Sequence, residues 1–347
     1  MQCDFIIVGG GLAGMSLAFR LLKRGKTIML YNWREEKAAS RVAAGLMNPV
    51  VFKRITKGWR SDEFLKESEL FYPELEKLLG ARFYIKPDFY RIHGSDYERN
   101  FWTEMSESTQ FSTFLGPPAE DEKSRLLKAP FGISFLNGAS AVISEVFLIA
   151  AKNYLLEQDS LINERVEFNQ IEFSPEGVKY KDISAAKIVY CTGAQAAVEG
   201  HFNYLPFKIA KGEVLTVQCE IPEMIFNGKV YGVPVSPGIF KIGSTYGWEQ
   251  KDDFPTEEGR AEISGNLDKI LKPPYTILEH EAGFRPTVKD RRPFLGLSKT
   301  NSKIAIFNGL GTKGYLMAPL LSLEMCDFLC DGKPLDPESN VSRCKIK

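Results

Sequence analysis

Asp4-Phe-Ile-Ile-Val-Gly9-Gly10-Gly11-Leu12-Ala13-Gly14-Met15-Ser16-Leu17-Ala18 is the stretch that decides the fold. Phe5–Val8 reads as a short apolar strand running into glycines spaced G-x-G-x-x-G. Met15, Leu17, Ala18, Leu21 and Leu22 then mark the apolar face of a helix. Each glycine has a task in a dinucleotide-binding turn. Gly9 permits the tight reversal, Gly11 lets backbone approach a pyrophosphate, and Gly14 lets the helix pack closely on the strand. The helix start, with Leu12 and Ala13, offers free N–H groups and a positive dipole end to phosphate. Lys23 and Arg24 sit where cations suit a helix end, Gly25 falls at a C-cap, and Thr27–Tyr31 reads as the second strand.

The unit departs from its usual form in one place. An acid normally follows the glycines by about 20 residues and holds the ribose hydroxyls. Asn32 takes that place here, and its amide oxygen can still accept a ribose O–H. Arg34 leaves a phosphate contact open, so a phosphorylated ribose is not excluded.

A chain of 347 residues is long enough for two domains or one elaborated one. Its 44 basic and 44 acidic residues leave a formal net charge of zero. No global field then draws nucleic acid or an anionic membrane. Six cysteines are scattered without metal-ligand or disulfide spacing, and no metal site is expected. No uncharged apolar run reaches the ~18 residues of a membrane span, and the fold starts at Asp4. The expectation is a cytoplasmic protein with neither leader nor transmembrane segment.

Cofactor-type segments at 1–80, 138–205 and 281–347 alternate with strand-rich segments at 81–137 and 206–280. Ser61–Leu79 reads as an amphipathic helix stopped by Gly80, Gly138–Gln158 as a long apolar helix, and Gly116–Glu122 as a loop. Lys187-Ile-Val-Tyr-Cys-Thr-Gly193 is a second strand entering a glycine turn. The small residues Ala43, Ala44 and Gly45 suit either close approach to a ligand or a helix end. Lys53, Arg54, Lys57 and Arg60 form a basic cluster that reads as a solvated face. The expected class is α/β, with a Rossmann-like binding domain interleaved with a strand-rich α+β substrate domain.

Further landmarks carry a family resemblance. Val189-Tyr-Cys-Thr-Gly-Ala194, Lys211-Gly-Glu-Val-Leu215, Ala282-Gly-Phe-Arg-Pro-Thr-Val-Lys-Asp-Arg-Arg-Pro-Phe-Leu-Gly296 and Asn308-Gly-Leu-Gly-Thr-Lys-Gly-Tyr-Leu-Met-Ala-Pro319 follow the glycine fingerprint in order. With them the chain resembles the D-amino acid oxidase superfamily of FAD-dependent oxidoreductases, its glycine oxidase branch in particular. The last segment is similar to the FAD domain of the bifunctional enzyme that modifies tRNA wobble uridine. The resemblance implies non-covalent FAD, with Asn32 at the ribose, Ala44 and Gly45 at the pyrophosphate or flavin, and Val166 at the adenine by backbone. It also implies Thr192 and Gly193 beside the dinucleotide and Arg285 on a substrate carboxylate.

Flavin chemistry sets its own demands: orientation of a substrate C–H, stabilisation of negative charge on the reduced ring, and exclusion of water. Gly309, Gly311, Thr312, Lys313 and Gly314 precede a long apolar helix whose N–H groups can meet that charge, and Lys313 adds a cation. Arg285 supplies a bidentate fork for a carboxylate, unless it serves a domain interface. Lys211 either orients flavin or oxygen or solvates a strand end. Tyr246 and Trp248 either line the substrate pocket or pack a loop, and Tyr246 is taken with Arg285 as a substrate contact. A neutral amine can release hydride without a protein base, so His93, His201 and His280 read as structural. The leading function is oxidation of a small amine or amino acid to an imine that hydrolyses. The alternatives are a tRNA wobble-uridine oxidase, disfavoured by the charge balance, and a flavin-binding scaffold or sensor without turnover. Substrate identity, the electron acceptor (oxygen or quinone) and oligomeric state are not encoded in any motif.

Overall fold

The strand Gln2–Val8 pairs in parallel with Ile28–Tyr31 on one side and Ile183–Tyr190 on the other. A computed structural model describes residues 1–33, 38–52, 54–198, 200–248 and 252–344. Arg34 and Lys53 therefore lie outside the described residues. Leu161–Ile162 extends the sheet beyond Ile28–Tyr31, and Ile304–Asn308 joins the far half of Ile183–Tyr190 in parallel. The chain leaves Gln2–Val8 to one side first and returns to the other later. The strand order thus switches at Gln2–Val8, where the carboxyl edge of an open α/β sheet leaves a crevice. Helices Leu12–Lys23, Ser61–Leu79, Ser144–Glu157 and Gly314–Asp331 cover one face, with Met15, Leu21, Phe64, Phe147, Leu155, Leu321 and Met325 buried among them.

A second sheet of eight strands runs Thr276–Arg285, Ala210–Gln218, Ile239–Gly243, Tyr231–Ser236, Ile225–Asn227, Phe89–Ile92, Ile133–Leu136 and Leu115–Pro118. Its strands come from the two segments with strand-rich composition. Thr276–Arg285 runs through position 281, so Arg285 ends a strand of this sheet. Among the described residues, no helix is long and apolar enough to cross a membrane.

Two local departures from the sequence pattern have physical causes. The helix read over Gly138–Gln158 begins at Ser144, because Ser140–Val142 is drawn into a small sheet between Leu46–Met47 and Tyr84–Ile85. Gly116, Pro117 and Pro118, the start of the stretch read as loop, belong to the strand Leu115–Pro118 at the sheet edge, where the prolines lose nothing by lacking an N–H.

Pro319 interrupts the hydrogen-bond ladder of the Gly314–Asp331 helix, since it has no N–H to give the Tyr315 carbonyl. The buried Tyr72 hydroxyl from Ser61–Leu79 donates to that carbonyl at 2.6 Å instead. We expect Tyr72→Phe to leave the carbonyl orphaned and lower unfolding free energy by about 1–3 kcal/mol. Urea denaturation measures this, and a loss below about 0.5 kcal/mol would show that the bond is dispensable.

Candidate active site

The crevice at the switch point opens into a cleft of about 700 Å³ reaching from the first sheet to the second. Its volume falls within the range of ligand pockets. The glycine turn forms one end. Gly9 has φ +109, and a Cβ there would overlap the Cys191 carbonyl; a Cβ on Gly14 would run into the Gly9 carbonyl oxygen. Strand, turn and helix therefore meet backbone to backbone. The helix starting at Leu12 has no side-chain cap at Gly11, though the Leu12 N–H donates to Ser40 Oγ at 3.0 Å. Gly10 N–H donates to Asn32 Oδ1 at 3.2 Å, fixing that amide at the end of the second strand.

Gly9, Gly11, Leu12, Ala13, Asn32, Ala44, Gly45, Val166, Thr192, Gly193, Gly311, Thr312, Lys313, Gly314, Tyr246 and Arg285 all line this cleft. Gly14 and Gly309 do not. Gly14 acts one layer behind, as a backbone contact, and Gly309 turns the chain at φ +82 against Val288. Gly45, at φ +68, presses on the Val142 carbonyl with no room for a Cβ.

Arg285 reaches the cleft from the second sheet. Its Nη2 donates to Ser244 Oγ at 2.8 Å and its Nη1 to the Thr245 carbonyl at 3.2 Å. The guanidinium lies across Gly212, where any Cβ would overlap it. Burial lowers its pKa, and the charges that oppose this are the phenols of Tyr231 and Tyr246. A guanidinium stays protonated through such a shift. The cleft thus holds a fixed, partly dehydrated cation whose ring neighbours bring no carboxylate to it.

Lys313 lines the same cleft from the uncapped start of the Gly314–Asp331 helix, with its Nζ beside Gly58. Its buried Nζ has no hydrogen-bond partner among the described residues, and burial pulls its pKa down to about 8. Lys211 is not part of the cleft lining. It is 2% exposed, and its ammonium meets the Phe254 carbonyl, with Asp252 Oδ1 at 3.4 Å. None of His93, His201 and His280 lines the cleft either. His93 bonds Ser134 and burial pushes it down to about 4; His280 Nε2 lies 2.9 Å from Glu213.

Sequence reasoning missed Tyr231, Ser244 and Gly212. Tyr231 opens one strand and Ser244 follows the end of its neighbour, and no motif marks either. The signal for Gly212 was present in Lys211-Gly-Glu-Val-Leu215, but only the folded register shows that the glycine seats Arg285.

Residues 4–328 match the family model described as DAO, FAD dependent oxidoreductase. The chain belongs to this family, and its cofactor is FAD. Glycine oxidase of Bacillus subtilis is 23% identical over 94% of this chain and 92% of its own length. The tRNA 5-methylaminomethyl-2-thiouridine biosynthesis bifunctional protein MnmC of Marinobacter nauticus is 23% identical over 94% of this chain. The chain spans 55% of that protein's length. Among solved structures, glycine oxidase from Bacillus cereus superposes with a TM-score of 0.81 at 20% identity, covering 96% of both chains.

The residues fit FAD: a glycine cradle without room for side chains, two uncapped helix starts on one cleft, and an orphaned ammonium beside the second. Gly9→Ala should purify with less than about a tenth of wild-type FAD, because its Cβ must displace the Cys191 backbone. Gly25→Ala also has a positive φ but open space around it, and should retain FAD. Absorbance of the purified proteins at the flavin band decides, and equal occupancy in both would contradict the cradle.

Proposed function

We propose that this chain oxidises a small amine or amino acid carrying a carboxylate, giving an imine that hydrolyses. The observation that carries this reading is Arg285: a half-buried guanidinium lining the same cleft as the glycine turn, held in place by Ser244 and Thr245. FAD, when bound, supplies the hydride acceptor. Arg285 binds the carboxylate, Tyr231 and Tyr246 wall the substrate laterally, and the apolar lining limits water. The amine must be neutral at reaction, and the absence of a histidine from the lining suits chemistry without a protein base.

The test is stopped-flow flavin reduction against a panel of amino acids and N-alkyl glycines. Arg285→Ala should slow reduction by the best substrate about a hundredfold, from loss of a charge-assisted bidentate contact. Arg285→Lys should fall between Ala and wild type, with FAD occupancy held. Wild-type rates in both variants would place the carboxylate elsewhere.

Lys313 is proposed to stabilise negative charge on reduced cofactor. Lys313→Met should then make the flavin midpoint potential more negative by about 30 mV or more, each 30 mV being about 1.4 kcal/mol for two electrons. Because burial brings the ammonium's pKa down to about 8, the gap between variant and wild type should narrow as pH rises through that value. Spectroelectrochemistry at pH 6.5 and pH 9.5 (about 1.5 pH units to either side) reads it. An equal potential at the lower pH contradicts the role.

A second reading, oxidation of an N-carboxymethyl amine on a tRNA wobble uridine, is supported by the similarity to the bifunctional protein across 94% of the chain. The 44-to-44 charge balance weighs against extensive phosphate contacts.

A further inference from the structure

Most aromatic side chains among the described residues are at least partly buried. Among the described residues, the exposed aromatics are Trp33, Tyr97, Tyr246, Trp248 and Phe254. Three of these fall between 246 and 254, beside the mouth of the cleft at the Arg285 end. Tyr246 is 46% exposed, lines the cleft, and stands 5.2 Å from the Arg285 guanidinium. Trp248, also 46% exposed, continues outward from it, with ring centroids 4.7 Å apart at 67°. The Lys208 ammonium lies 3.9 Å from the Trp248 ring centroid. Phe254, 63% exposed, follows the cleft-lining Asp253.

Leaving three large rings in water costs free energy that a polar loop would avoid, and rings grouped at a pocket mouth are the usual means of holding a flat apolar group. These rings are also anchored. Backbone pairs Lys211 with Gly247 beside the Tyr246 and Trp248 rings, each N–H donating to the other's carbonyl at 2.8 and 2.9 Å. The Lys211 ammonium and the Glu213 carboxylate hold Phe254 and Thr256 from beneath, the latter by bonds of 2.9 Å to its N–H and hydroxyl. A platform fixed on a buried ionic base, starting 5.2 Å from the carboxylate anchor, suits a ligand with both features on one molecule.

We propose that the substrate is a carboxylate bearing a planar aromatic group, which packs against the Tyr246 and Trp248 rings while Arg285 holds the carboxylate. The proposal names the substrate class of the amine-oxidation reading and rests on it for turnover. Glycine and sarcosine then fill only the inner part of the site. A second copy of this chain docked on the rings is the competing occupant.

The experiment uses ligands with no amine, so its readout does not depend on oxidation. FAD-loaded protein is titrated with acetate, cyclohexylacetate and phenylacetate, and perturbation of the flavin spectrum gives Kd. Phenylacetate should bind about tenfold or more tighter than acetate, and tighter than cyclohexylacetate, as expected for ring-on-ring contact added to burial. Trp248→Ala and Tyr246→Leu should each remove most of that advantage, and Trp248→Phe should keep it. Equal binding of acetate and phenylacetate, an advantage that survives in both truncations, or no spectral response to any ligand overturns the proposal. So does a dimer in light scattering that Trp248→Ala dissolves, since the rings would then face another copy. If phenylacetate behaves as expected but no amine reduces the flavin, the platform stands and the oxidase reading falls.

Discussion

The account depends on one close approach of backbone. Gly9, Gly14 and Cys191 meet with no space for a Cβ between strand, turn and helix. That contact brings the Gln2–Val8 and Ile183–Tyr190 strands and the Leu12–Lys23 helix to a common edge. At the helix start that faces the cleft, Ser40 Oγ takes the Leu12 N–H. A single methyl at Gly9 or Gly14 would have to be absorbed by moving an element, because packed interiors do not yield locally. The phosphate end of the cleft is therefore a consequence of packing as much as of motif.

The opposite end is held by buried charge. Lys241 donates to the Arg41 and Val42 carbonyls at 3.0 and 3.2 Å and pairs with Glu281 at 3.2 Å. It thereby ties the second sheet to the small-residue segment that walls the cleft. Glu213 accepts from Thr256 and lies 2.9 Å from His280 Nε2, and Lys211 donates to the loop carbonyl of Phe254. Breaking one member of such a network leaves a buried charge uncompensated, which is costlier than never having formed it. This polar layer fixes where Arg285, Tyr246 and Trp248 stand relative to the glycine turn.

The first unit was legible in the sequence because its signals are local. Glycine spacing, an apolar strand and a 3.6-residue period all occur within Phe5–Tyr31. Ser61–Leu79 was equally plain, with Gly80 in the left-handed conformation at its end. Where pairing is long-range, local pattern failed: Ser140–Val142 looks helical until Leu46–Met47 and Tyr84–Ile85 flank it. The same holds in the site. Arg285 was visible in its glycine-proline setting, whereas Gly212, Ser244 and Tyr231 acquire meaning only through strand register. Lys211 stood open between cofactor contact and a solvated strand end; the structure puts it at the start of the Ala210–Gln218 strand with its ammonium buried against the Phe254 carbonyl.

The central claim is that one cleft joins FAD at the glycine turn to a carboxylate at Arg285. A crystal structure of the FAD-loaded protein soaked with phenylacetate tests it most directly. The account predicts both carboxylate oxygens within about 3 Å of the Arg285 guanidinium nitrogens, with the ligand between that fork and the flavin ring. A carboxylate bound away from Arg285, or a flavin ring lying outside the cleft lined by Lys313, would contradict it.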